Sequence, residues 1–171
     1  MIHRPFVLIA AACAIFTFSG CSNKEKQARH DAMVEFMHGN TPDPEMAAAI
    51  AKSQATLKDF LAALQHPKPG QTNFLVRAIF PAEKGKQQIL WINSLTFDGE
   101  KLHGKADDNT AKQGSGIPKD GTATVELSKV ADWMYQEGNK AVGGWTLRVL
   151  KKKFPEETNE LPTLRDMQFQ D

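Results

Sequence analysis

Residues 43–81 read DPEMAAAIAKSQATLKDFLAALQHPKPGQTNFLVRAIFP, and the hydrophobic period changes inside this stretch. Met46, Ala49, Ile50, Ser53, Leu57, Phe60, Leu61 and Leu64 recur at steps of three and four, one apolar stripe of an amphipathic helix. Asp43 is placed to cap the first N–H groups, Pro44 suits the first helical position, and Glu45 suits the positive end of the dipole. Pro67 and Pro69-Gly70 end the helix. From Asn73 the period is two: Phe74, Val76, Ala78 and Phe80 alternate with Leu75, Arg77 and Ile79, and Pro81 closes the strand. One helix followed by strands in series predicts an α+β fold, an N-terminal amphipathic helix packed on a small antiparallel sheet.

The strands continue downstream. Ile89, Trp91, Asn93, Leu95 and Phe97 are spaced for one face, and Asp98-Gly99 predicts a type I′ hairpin returning through Leu102. A polar loop fills 106–121. Strands are expected at 122–127 and 130–135, and Gly138-Asn139 turns the chain back toward Ala141 and Val142. The resulting sheet reads as a meander. After Gly143-Gly144, residues 145–154 predict a short closing helix, with Lys151, Lys152 and Lys153 at the negative end of its dipole and Pro155 as its stop.

Upstream, His3 and Arg4 precede an apolar run from Phe6 to Phe18, followed by Ser19-Gly20-Cys21. Thirteen apolar residues are fewer than the roughly 20 that a spanning helix needs, so the run suits a secretory signal at 1–20. Small residues before a cysteine resemble the lipobox of bacterial lipoproteins, although Phe18 stands where leucine is usual. That resemblance implies lipid (palmitate among the acyl groups) at Cys21, and Ser22 in place of an aspartate implies the outer membrane, with the body facing the periplasm. Residues 21–42 then read as a lipid-proximal tether, 43–154 as the domain and 155–171 as a polar tail.

Cleavage would remove Cys13, leaving Cys21 as the one thiol. It would also take Arg4 from the 21 basic residues and none of the 20 acidic ones, giving a neutral body. Neutrality argues against nucleic acid and against an electrostatic grip on anionic lipid.

The block Asp43-Pro44-Glu45-Met46-Ala47-Ala48-Ala49-Ile50 with Thr56-Leu57-Lys58-Asp59-Phe60 resembles the opening of the YegJ-like bacterial family, domain of unknown function 2314. So does Asp132-Trp133-Met134-Tyr135 with Gly143-Gly144-Trp145-Thr146-Leu147-Arg148-Val149-Leu150. The similarity spans about 43–153. Gln88 stands where the family often has Glu, and Asn109 lacks the proline that often follows two residues later. The resemblance implies a fold and carries no activity.

Catalytic and metal motifs are wanting. His30, His38, His66 and His103 have no zinc spacing. Ser115 in Gly114-Ser115-Gly116 sits in a polar loop and not at a strand–helix elbow. Asp107-Asp108-Asn109 lacks the later residues of an EF-hand. No cofactor is expected. The candidate binding site is the Gly143-Gly144 corner, where a helix start offers N–H groups to an anion, with Thr146, Arg148, Asp132, Trp133 and Tyr135 around it. The same residues equally suit a tight structural corner with Arg148 paired to Asp132. The expected role is a non-catalytic envelope binding or interaction module, with a protein partner. The alternatives are a small-ligand binder or enzyme at this corner, and an immunity-type protein meeting a toxin through 106–121.

Overall fold

A computed structural model describes residues 19–39, 41–81, 87–106 and 117–170, with side chains from residue 23 onward. Residues 1–18 of the expected 1–20 signal, the Cys21 side chain and the loop core at 107–116 lie outside the described residues. The fold is α+β, with a 7-stranded sheet. In chain order the elements are α1 (Ser19–Met37), α2 (Pro44–Gln65), β1 (Gln71–Pro81), β2 (Gln87–Phe97), β3 (Lys101–Ala106), β4 (Thr122–Glu126), a 3-10 turn (Leu127–Lys129), β5 (Val130–Glu137), β6 (Lys140–Gly143), α3 (Trp145–Lys153), α4 (Pro155–Asn159), α5 (Pro162–Arg165) and β7 (Gln168–Phe169).

The amphipathic helix begins as its sequence predicts. The Asp43 carboxylate accepts the Met46 N–H at 2.9 Å, and Pro44 opens the first turn. It is, however, the second helix. Residues expected to be a tether form α1, whose Met33 and Phe36 are buried. No apolar stripe announces α1, because tertiary contacts supply what periodicity does not. Arg29 pairs with Glu156 and Glu157, and Lys26 with Glu160.

The sheet order is β4-β3-β2-β1-β5-β6-β7. All pairs are antiparallel except β6 with β7. Only β1 to β4 form a meander; β5 crosses back to lie beside β1, which becomes the central strand. The tail is likewise ordered: α4, α5 and β7 follow α3, and β7 adds to the edge of β6.

Alternation gives the sheet two apolar faces. One holds Val76, Ala78, Leu90, Ile92, Leu102, Val125 and Trp133 against Leu57 and Phe60 of α2. The other holds Leu75, Trp91 and Met134 against Met33 and Phe36 of α1, Leu147 and Leu150 of α3, and Met167 and Phe169 beyond. The α2 stripe also reaches the second cluster through Met46 and Ile50. Gln54 fixes α2 over the crossover by donating to the carbonyls of Leu127 and Val130.

Strand β2 departs from simple alternation. Leu90 and Ile92 face α2, and Leu95 and Phe97 pack against the same cluster, while Trp91 packs against the other. The phase slips at Ser94, whose φ is +51°, where the β2–β3 register shifts. The predicted single face from Ile89 to Phe97 is therefore split. The following hairpin also differs from type I′. Asp98 N–H donates to the Lys101 carbonyl, so Gly99-Glu100 is the two-residue loop and only Gly99 has positive φ, +102°. Glycine in the first central position is the II′ pattern. The Asp98 carboxylate closes it by accepting from Glu100 and Lys101 N–H, at 2.8 and 2.7 Å.

Candidate functional site

The Gly143-Gly144 corner joins β6 to α3. Both glycines have positive φ, +84° and +66°. A Cβ on Gly143 would stand 2.4 Å from the Trp133 carbonyl oxygen and 2.6 Å from its ring, and one on Gly144 2.8 Å from the Phe169 ring. The corner is thus a close approach between backbone and rings that a side chain would obstruct.

A helix starting here exposes N–H groups to an anion, and the anion is the chain's own Asp132. This residue is fully buried. One carboxylate oxygen accepts the N–H of Trp133 at 2.9 Å and of Trp145 at 3.1 Å. The other accepts the N–H of Thr146 at 2.8 Å and its hydroxyl at 2.6 Å. Four donors converge on one group, as suits an ionised, acceptor-only carboxylate. Burial pushes its pKa up, and these hydrogen bonds and Arg77 oppose that shift.

The cation of this cluster is Arg77, which stands opposite Asp132 in the β1–β5 register and is 3 % exposed. Its guanidinium donates to the Thr146 hydroxyl at 3.0 Å and to the Met37 carbonyl at the end of α1. Thr146 therefore links the two, accepting from Arg77 and donating to Asp132. Burial lowers the Arg77 pKa to about 10 against the pull of Asp132, so the guanidinium stays charged at neutral pH. One cluster ties together the center of the sheet, the start of α3 and the end of α1.

The residues proposed from sequence divide three ways. Asp132, Thr146, Gly143 and Gly144 meet in this cluster. Trp133 and Tyr135 lie on the opposite face of β5, their rings stacked 6.3 Å apart, and Tyr135 also stacks on Phe74 at 5.0 Å. Arg148 makes its described contacts with groups other than Asp132. It donates to the carbonyls of Gly143 and Gln170 and lies over the rings of Trp145 and Phe169, 4.6 and 4.7 Å from their centers. The Arg148–Asp132 pair considered from sequence is replaced by Arg77 and Asp132. The available signal for Arg77 was a lone charge between Leu75 and Ile79 on an apolar strand face.

An open concavity lies beside this cluster. Its volume is about 730 Å³, within the roughly 300–1,000 Å³ of small-molecule sites. Trp91, Met134, Leu147 and Leu164 form much of its wall, and Asn73, Asn93, Ser94 and Gln136 stand at its rim. The paired ladder of β1 with β2 ends at Val76 and Ile92. Just beyond it, Asn73 (φ +52°) and Ser94 (φ +51°) carry the described non-glycine positive φ values. Such conformations cost about 1–2 kcal/mol per residue and cluster at functional sites. Sequence reasoning missed this cavity because its wall combines residues from both helical and strand segments far apart in the chain.

The site and scaffold define an α+β domain whose central carboxylate, Asp132, is satisfied internally and whose open concavity has a largely apolar wall. The chain belongs to a bacterial family described as an uncharacterized protein conserved in bacteria, DUF2314, whose model matches residues 43–161. No curated protein and no solved structure matches it. The family match takes in α2 through α4 and leaves α1 outside.

Proposed function

We propose that this chain is a lipid-anchored envelope protein, a YegJ-like member of its family, acylated at Cys21 and facing the periplasm from the outer membrane, whose body is a non-catalytic binding module. The order of basic residues, thirteen-residue apolar run, Ser19-Gly20 and Cys21 supports the anchor. Among the described residues no helix is long and apolar enough to cross a membrane; in this reading the attachment is the acyl chains on Cys21. Cleavage before Cys21 would remove Ser19 and Gly20 from α1 and leave the acylated Cys21 at the start of that helix. The anchor would then hold the body through a helix instead of a loose spacer.

The observation that carries the binding role is the contrast between corner and cavity. The Trp145 and Thr146 N–H groups at the helix start, which would hold an anionic ligand, are already taken by Asp132, whereas the cavity is walled by apolar side chains, Trp91 and Leu164 partly exposed and Met134 and Leu147 buried. The binding seat is therefore assigned to the cavity.

Fractionation of a Cys21→Ser protein tests the anchor. The body is expected to leave the membrane pellet with its thermal midpoint unchanged; retention in the pellet would overturn the anchoring. The neutral dye N-phenylnaphthylamine tests the seat: its fluorescence is expected to rise on binding, and no response at any protein concentration would count against a binding module.

A further inference from the structure

We propose that the cavity takes a neutral amphiphile with one acyl chain and a hydrogen-bonding head such as an amide or hydroxyl. This rests on the binding-module reading and adds the ligand's chemistry. Among the described residues, none of the fifteen that line the cavity is Asp, Glu, Lys, Arg or His. A charged head at the mouth would meet amide and hydroxyl groups and no counter-ion among these residues, and a charge drawn in along the apolar wall would lose its hydration. Arg77, the buried cation of the neighbouring cluster, is committed to Thr146 and the Met37 carbonyl, Arg165 next to the lining residue Leu164 is paired with Asp166 at 2.8 Å, and Lys151 donates to the carbonyls of Arg165 and Met167 at 3.4 and 3.2 Å.

The wall suits a flexible chain. Met37, Met134 and Met167, three of the protein's six methionines, line it, and methionine adapts its shape to varied apolar partners. The rim suits a neutral head. Asn73 donates to the Gln136 side chain at 2.5 Å, and Ser94 to the Asn93 side chain at 3.1 Å. These amides offer donors and acceptors with no net charge, and all four residues are exposed at the mouth. An amide or hydroxyl head can exchange hydrogen bonds there while its chain lies along Trp91, Met134 and Leu147.

Trp91 supplies the readout, since bromine on a bound chain quenches a tryptophan that it touches. The purified body is titrated with a terminally brominated fatty amide, the matching fatty acid anion and the matching alkyl ammonium. The amide is expected to quench, at least tenfold tighter than either charged analogue, and each pair of added methylenes should tighten it about tenfold. Trp91→Phe should remove most of the quench while calorimetry still detects binding. Leu164→Asp, with its folding checked by thermal midpoint, should weaken the amide at least tenfold. Equal affinity for all three heads would overturn the neutral-ligand assignment and leave the binding module standing. Silence from all three in both fluorescence and calorimetry would overturn both. Vesicles carrying the amide set against the dispersed amide separate a membrane source from a free one: transfer from vesicles marks the former, binding of the dispersed form alone the latter. Either supports the assignment.

Discussion

Strand β1 passes through two contrasting environments within a few residues. At Arg77 it is paired on both sides and buried, and its charge is fixed by Thr146, Asp132 and the end of α1. At Asn73 to Leu75 its pairing with β2 has ended, its backbone turns through positive φ, and its side chains border an apolar cavity. The first region spends polar groups on rigidity: every described contact of the Asp132 carboxylate is internal, and both of its oxygens are filled by the chain's own donors. The second gives up ladder hydrogen bonds for space. A glycine-rich helix start that looks like an anion site can therefore be a scaffold, while the binding seat lies where regular structure stops.

Substitutions can break the contrast from the rigid side first. Arg77→Met leaves Asp132 without its cation and the Met37 carbonyl without a donor; the loss is expected at about 3–5 kcal/mol. Urea unfolding measures it, and amide exchange across α1 should quicken at the same time. Gly143→Ala comes next. Its positive φ costs about 1–2 kcal/mol and the Trp133 contact adds to that, so a loss of at least about 2 kcal/mol is expected in thermal unfolding. Gly99→Ala is its control, also at positive φ but with nothing within 4 Å of the added Cβ, and should cost only about 1 kcal/mol. On the open side the sign reverses. Ser94→Gly relieves a left-handed residue and should stabilise by about 0.5 kcal/mol, after the entropy of the added glycine is subtracted. A loss there would mean that the Ser94 hydroxyl bond to Asn93 outweighs the backbone strain.

The smallest expected effect is a pH dependence at the α1 end. Burial, then the nearby Arg77, lowers the pKa of the half-buried His38 below its ordinary 6.5, with Glu35 opposing. The unfolded chain then binds the proton more readily than the folded one, so stability rises with pH in this window and is lost as pH falls from 6.5 through the folded value. Acidification from pH 7 to about 5 should speed amide exchange at 34–39, and His38→Phe should flatten that response.

Much of this scaffold was legible from local chemistry. The stripe from Met46 to Leu64, the Asp43 cap, the strand at 74–80 and the helix after Gly143-Gly144 each follow from spacing or capping alone. What escaped depends on partners distant in sequence. Helix α1 has no stripe of its own because Met33 and Phe36 meet α3 and its neighbours instead of a continuous face. The slip at Ser94 reverses the faces of β2 without leaving a glycine or proline as a mark. The β5 crossover places Asp132 beside Arg77, a pairing that no local pattern contains. At the candidate site the two glycines, Thr146 and Asp132 were legible as a group, yet their cation was sought at Arg148, nearby in sequence, instead of at Arg77 across the sheet.

The central claim is that Asp132 fills the helix-start anion site from within. Its most direct test is the unfolding free energy of Asp132→Ala, measured with and without added formate. A loss of about 3–5 kcal/mol is expected, partly recovered by formate as the small carboxylate enters the vacated site. A loss under about 1 kcal/mol, with no response to formate, would contradict it.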